Sequence, residues 1–146
     1  MCNKIIRKSV FLLFFITCLG FSQKTKVACV GNSVTFGAGI KDRNVHSFPV
    51  QLQQMLGDKY EVANFGYSGA TLLKKGHKPY WKKSVFKESQ DFKPNIVIIH
   101  LGLNDQGNNN WPKHKDEFIA DYLAMISVYK NLPSKPRVII CKMTPT

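Results

Sequence analysis

The sequence predicts an α/β fold, a three-layer α/β/α sandwich around a parallel sheet, and three observations carry that prediction. First, apolar runs at 26–30, 60–64, 95–101 and 137–141 alternate with helix-patterned stretches, which argues for crossover connections between parallel strands. Second, the run at 95–101 is nearly continuous in Ile, Val and Leu, as expected of a strand covered on both faces. Third, three of the runs stop on Gly, Asn and Ser rather than on a plain turn: CVGNSVTFGAG (29–39), VANFGYSGAT (62–71) and IVIIHLGLND (96–105). Open parallel sheets place their chemistry at the carboxyl ends of strands, so these three endings are expected to form one polar site.

Taken in order, the first strand runs into Gly31-Asn32-Ser33 and a loop punctuated by Gly37 and Gly39. Residues 41–45 read as polar loop. Ser47 is placed to cap a helix over Phe48–Leu56, with Pro49 tolerated in its first turn and Gly57 closing it. Phe48, Leu52, Met55 and Leu56 share one face of that helix and are expected to pack on the sheet. His46 reads as a loop or capping residue. The stretch 72–94 is irregular and lysine-rich, with one short helix at 84–92; His77, Tyr80 and Trp81 there are equally an ordinary connection or a rim that faces a sugar. His100, inside the third strand, is expected to be a hydrogen-bonded structural histidine. A polar loop then leads through Trp111-Pro112 to a helix at 115–131, with Phe118, Ile119, Tyr122, Leu123, Ile126 and Tyr129 as its apolar face. A fourth strand at 137–141 follows. A flavodoxin-like strand order, 2-1-3-4-5, would gather the ends of the first three strands, and the sequence is expected to stop after the fourth.

The chain has 146 residues, enough for one domain. Residues 1–22 carry Lys4, Arg7 and Lys8 ahead of an apolar run and small residues, the pattern of a secretory signal peptide and too short for a comfortable membrane span. The expected organisation is therefore a leader at 1–22 and a domain at 23–146. It implies a secreted or periplasmic protein with no stable membrane anchor once the leader is removed. Removal takes three basic residues from a formal charge of +12 and leaves +9. That excess suits an acidic substrate or surface. With no arginine-rich run, no zinc-ligand spacing and no aromatic-basic motif, nucleic acid is not an expected partner, and neither a metal nor a cofactor is expected. Cys29 and Cys141 each fall in a predicted strand and are expected to be buried free thiols.

The three strand endings resemble the first three sequence blocks of the SGNH hydrolases, also called the GDSL esterase/lipase family. Gly31-Asn32-Ser33 resembles the Gly-Asp-Ser block, Asn64-Phe-Gly-Tyr-Ser-Gly69 the second block, and Gly102-Leu-Asn104-Asp105 the Gly-x-Asn-Asp block. Each block is common alone; the three in order at strand ends are not. The segments GHKPYW and HLGLND…NNWPKHKDEFIADYL are most similar to carbohydrate O-acetylesterases, particularly the sialate O-acetylesterase-like group. The resemblance implies the SGNH hydrolase fold and a serine esterase that removes O-acetyl groups from a carbohydrate. It makes Ser33 the nucleophile, and the Ser33 and Gly69 N–H groups with the Asn104 amide the donors to the tetrahedral oxyanion. His77, Tyr80, Trp81 and Trp111 would then contact sugar.

This sequence departs from the family pattern twice. Asn32 stands where the family has aspartate, which keeps the size but removes a charge and one acceptor. The family's Asp-x-x-His block, source of the base, occurs nowhere in the sequence. In a serine protease, losing the catalytic histidine costs about a millionfold in turnover, so the chain as written is expected to be nearly inactive and marginal as a folded unit. The competing reading is a non-catalytic carbohydrate-binding module that uses the same cleft with Trp81, Trp111 and the lysines. A nucleotide binder is the weakest reading, since 31–39 has neither a P-loop nor a dinucleotide fingerprint.

Overall fold

A computed structural model describes residues 23–142. The predicted leader at 1–22 lies outside the described residues. The strands are β1 (Thr25–Gly31), β2 (Tyr60–Gly66), β3 (Ile96–His100) and β4 (Arg137–Ile140), all parallel, in the order β2-β1-β3-β4. Helices flank this sheet, as the alternating pattern predicts. Register aligns Gly31 of β1 with Gly66 of β2 on one side and His100 of β3 on the other, so three strands end level with one another.

The helices are α1 (Ser33–Phe36), α2 (Arg43–His46), α3 (Phe48–Leu56), α4 (Ser84–Asp91), α5 (Trp111–His114) and α6 (Phe118–Lys130). Two of them correct the sequence reading. Residues 43–45 of the stretch read as polar loop belong to α2, and the long helix begins at Phe118, after a 3-10 turn at Lys115–Glu117. Ser47 does not cap α3 with its side chain; it is buried, and its carbonyl accepts from Val50 and Gln51.

The core lies between the sheet and the helices α4 and α6. Val27, Ala28, Cys29 and Val30 of β1 are buried along their whole length, with Val97 and Ile99 of β3, Leu72, Leu73, Tyr80, Met125 and Tyr129 around them. Phe86 of α4 joins the layers: its ring meets those of Tyr80, Trp81 and Tyr129 edge-on at 5.8, 5.3 and 6.1 Å. The Ser89 and Tyr129 hydroxyls share a 2.7 Å hydrogen bond across the same contact.

Several apolar residues do not pack as their periodicity predicts. Met55 of α3 is 80% exposed, and Ile119 and Leu123 of α6 are 66% and 60% exposed. In α6 the buried set is instead Phe118, Asp121, Met125 and Tyr129. Ile119, Tyr122, Leu123 and Ile126 line an open apolar hollow together with Ile140 of β4. On its outer side β4 pairs with no described strand, and Ile139 and Ile140 are exposed. The central strand β3 is thus fully covered on the Val97–Ile99 side and only partly on the Ile96–Ile98–His100 side. Cys29 and Cys141 are free as predicted; Cys29 is buried, while Cys141 lies one residue beyond β4 and is only half-buried. Burial pushes the Cys29 thiol up to about 12, so it stays protonated and inert.

Candidate active site

The carboxyl end of β1 is tied to both neighbours. The Tyr67 N–H donates to the Gly31 carbonyl at 2.9 Å, and the Asn32 N–H donates to the His100 carbonyl at 3.3 Å. Asn32 is fully buried and caps α1, its Oδ1 accepting from the Val34 N–H at 3.0 Å. Ser33 is therefore the first residue of a helical turn, half-buried at the strand end, where its hydroxyl makes no hydrogen bond to another described residue. That turn sits directly on β2: a Cβ at Gly66 would collide with the backbone of Thr35 and Phe36, so only glycine fits there.

Asn32 also shows what the missing carboxylate changes. Its Nδ2 is buried without a partner among the described residues, as is the neighbouring Thr35 Oγ1. One oxygen suffices to cap the turn, and the second position of the side chain is unused.

After Gly66 the chain turns through Tyr67, Ser68 and Gly69, with Gly69 at φ +79°, a conformation costly for any residue with a Cβ. Ala70 follows, and its carbonyl accepts from Asn104 Nδ2 at 2.9 Å. Asn104 lies on a 3-10 turn, Leu103–Gln106, entered through Gly102 at φ +120°. Ser33, Gly69 and Asn104 thus lie at the same edge of the sheet, at the ends of three adjacent parallel strands. Main-chain bonds join the first two endings, and an amide–carbonyl bond joins the second and third.

Sequence reasoning missed what holds this edge. The loop at 70–78 has few backbone partners of its own; side chains from beyond β3 accept its N–H groups. Asp105, fully buried, takes the Leu72 and Leu73 N–H groups on its two oxygens, each at 2.8 Å. Asp121 of α6 takes the Lys74 N–H at 2.8 Å and pairs with the Lys74 ammonium at 3.3 Å. Asn110 accepts from the His77 N–H at 2.8 Å, while its Nδ2 donates to the Asn104 carbonyl at 3.0 Å and lies 2.9 Å from His77 Nδ1. Burial raises the Asp105 carboxyl above the usual carboxylate range, against the pull of its two backbone donors and of His77. Asp105 was visible in the third block as the residue after Asn104; Asn110 and Asp121 carry no sequence signal.

The predicted sugar-facing residues divide. Tyr80 does not face a substrate: it is fully buried among Trp81, Phe86 and Tyr129, with its hydroxyl donating to the Phe65 carbonyl at 2.6 Å. Trp81 is half-buried, its indole N–H donating to the Leu72 carbonyl at 2.6 Å and the Lys74 ammonium 4.6 Å from its ring centroid. Trp111 is 40% exposed and rests edge-on against Phe118. His77 is exposed and held by Asn110.

Among the described residues, no histidine side chain hydrogen-bonds to Ser33. His46 is exposed on α2, and His114 faces Glu117 at 3.4 Å. His100 is not the hydrogen-bonded residue its position predicts, because its Nδ1 is buried without a partner among the described residues. It borders an open hollow of about 340 Å³ with Val34, Phe48, Cys141 and Lys142. Among the described residues, no group of three His, Cys, Asp or Glu side chains is placed to hold a metal, and no helix is long and apolar enough to cross a membrane.

Comparison with known proteins bears on this arrangement directly. The profile of the GDSL-like Lipase/Acylhydrolase family matches residues 29–146. An acetylxylan esterase from Xylanibacter ruminicola is 37% identical over 137 residues, covering 82% of this chain and 28% of that protein. Among solved structures, AlinE4, an SGNH-hydrolase family esterase, aligns with a TM-score of 0.55 at 19% identity, covering 83% of this chain and 60% of that one. The aryl esterase of M. smegmatis aligns at 0.54 and 19% identity, covering 80% and 62%. This chain therefore spans about a quarter of the acetylxylan esterase and about three-fifths of the two esterase structures.

Proposed function

Because the chain belongs to the GDSL-like lipase/acylhydrolase family, by family a group of carboxylic ester hydrolases, we propose that it removes O-acetyl groups from a carbohydrate. The observation that carries this is the hydrogen-bonded junction of three strand endings, with Ser33, Gly69 and Asn104 one on each. In this reading the Ser33 hydroxyl attacks the acetyl carbonyl carbon and gives its proton to a base. The resulting oxyanion is met by the Ser33 and Gly69 N–H groups and the Asn104 amide, each such donor contributing about a hundredfold to a thousandfold. The sugar leaves with a proton, and water then releases acetate from the acyl-serine.

The acetylxylan esterase relative supports an acetylated sugar polymer as substrate, and the wording of the third block favours acetylated sialate as the finer choice. The leader pattern at 1–22 supports export to the secreted or periplasmic space. No described histidine bonds to Ser33, which favours slow turnover by these residues alone. It also supports a second reading, a non-catalytic carbohydrate-binding module on the same fold.

Hydrolysis of acetylated xylo-oligosaccharides is the test, with the 146-residue chain alone and with an Asp-x-x-His segment from a family member fused after Thr146. The fused chain should show turnover that Ser33→Ala abolishes, and the chain alone at least about a thousandfold less. Turnover unaffected by Ser33→Ala overturns the assignment. Sugar binding with no turnover in either form favours the binding module.

A further inference from the structure

Three of the seven lysines in the irregular stretch after β2 face a carboxylate among the described residues. Lys74 faces Asp121 at 3.3 Å, Lys75 faces Glu117 at 2.9 Å and Lys87 faces Asp91 at 2.6 Å. Lys78 and Lys83 are different. Neither has a carboxylate partner among the described residues, and their ammonium groups lie 5.1 and 5.0 Å from the centroid of one and the same ring, that of Tyr67. An aromatic quadrupole attracts each cation, but it neutralises neither charge, and two like charges beside one ring repel. An anion that reaches both would offset that repulsion. All three side chains are half-buried, so their positions are set by packing.

This pair stands beside the proposed reaction centre. The Lys78 side chain runs over Gly69: its Cδ and Nζ are 3.3 and 3.5 Å from where a Gly69 Cβ would be. Tyr67, two residues earlier, donates its N–H to Gly31, the last residue of β1 before the Ser33 turn. The backbone that supplies the oxyanion N–H therefore also carries the ring on which both cations rest.

We infer that Lys78 and Lys83, both against the Tyr67 ring, form a subsite for the carboxylate of an acidic saccharide next to Gly69. The inference rests on the esterase reading for the role of the neighbouring strand endings, and it assigns the substrate class: an acetylated saccharide that carries a sugar acid, its carboxylate held by the ammonium groups of Lys78 and Lys83. A charge-assisted contact from each lysine supplies selectivity that a neutral sugar cannot use.

Calorimetric titration of the full chain with three probes tests it without requiring turnover: a glucuronate-substituted xylo-oligosaccharide, the unsubstituted xylo-oligosaccharide, and N-acetylneuraminate. At low salt at least one acidic probe should bind about tenfold more tightly than the neutral one, with the gap narrowing in concentrated salt; which acid binds better identifies the source of the carboxylate. Lys78→Gln and Lys83→Gln should each remove most of the preference, Lys83→Arg should keep it, and Lys87→Gln should leave it intact. Equal affinity for acidic and neutral probes overturns the subsite, as does a Lys87→Gln effect as large as those of Lys78→Gln and Lys83→Gln. Acid-selective binding by a chain whose Asp-x-x-His fusion shows no Ser33-dependent hydrolysis keeps the subsite and removes the esterase reading. Hydrolysis without acid preference does the reverse.

Discussion

The two ends of this sheet are finished in opposite ways. Around β1 and β2, the loop at 70–78 is fastened by side chains: Asp105, Asn110 and Asp121 together accept four backbone N–H groups. Around β4, the surface is apolar and bare, with Ile119, Leu123, Ile139 and Ile140 all exposed. The difference teaches that local order at the candidate site does not depend on covering the far edge. The clamp residues come from the segment between β3 and the middle of α6, all on the near side of β4. The site edge is preassembled by polar contacts, while the β4 edge presents the kind of surface that pairs with other chains.

The largest blow to the ordered end should come from Asp105→Ala. It leaves two buried N–H groups without acceptors, each costing about 1–3 kcal/mol, so denaturant unfolding should show a loss of roughly 3–5 kcal/mol. Asp105→Asn, which keeps one acceptor oxygen, should lose less. A loss under about 1 kcal/mol for Asp105→Ala would show that the loop is held by something else.

Next in size is a contrast along a single helix. Met125 is fully buried and Leu123 is 60% exposed. Met125→Ala should cost about 2–4 kcal/mol through cavity formation, whereas Leu123→Ala should stay within about 0.5 kcal/mol. Equal costs in thermal or denaturant melts would mean that Leu123 is covered in solution, and the two ends of the sheet would then be less different than they look. Size-exclusion chromatography sharpens the same point: if the bare end self-associates, Ile140→Lys should shift the chain toward monomer with little change in its melt.

The smallest effect is a pH dependence. Burial holds the Asp105 carboxyl above its ordinary value, so the folded chain binds that proton more readily than the unfolded one. The contribution of Asp105 to stability should therefore fall as pH rises from the ordinary carboxylate value through the raised folded one, and level off above it. Asp105→Asn removes this titration and leaves the other carboxylates in place. The stability of the parent chain minus that of the variant should thus decline across that window. A difference that grows with pH would show that the two N–H donors outweigh burial.

The strand order, and the placement of Ser33, Gly69 and Asn104 at one edge, were legible in the sequence. Strand runs and their polar endings are local patterns, and parallel topology alone brings such endings together. Failures came where packing is decided at long range. Periodicity put Ile119 and Leu123 on the apolar face of the last helix, but it cannot say which of two apolar flanks the sheet will cover; Met125 and Asp121 won. Tyr80 read as a rim residue because it sits in a lysine-rich loop, yet Phe86 and Tyr129, six and forty-nine positions later, enclose it. Asn110 gave no sign at all, since an asparagine in a polar loop looks the same whether it points at water or receives a backbone N–H from residue 77.

The clamps also set how the site can move. Amides that share a fastening open together, and the free energy of that opening belongs to the unit rather than to any one bond. Leu72 and Leu73 hang from a single carboxylate; Asn110 ties His77 to Asn104, and Asn104 in turn holds Ala70. Hydrogen exchange across 72–77 should therefore report one cooperative opening instead of a loop that frays residue by residue. The two endings that carry Gly69 and Asn104 would lose their order in that same event. For most of its lifetime, then, the loop beside Gly69 behaves as part of the scaffold and not as a lid.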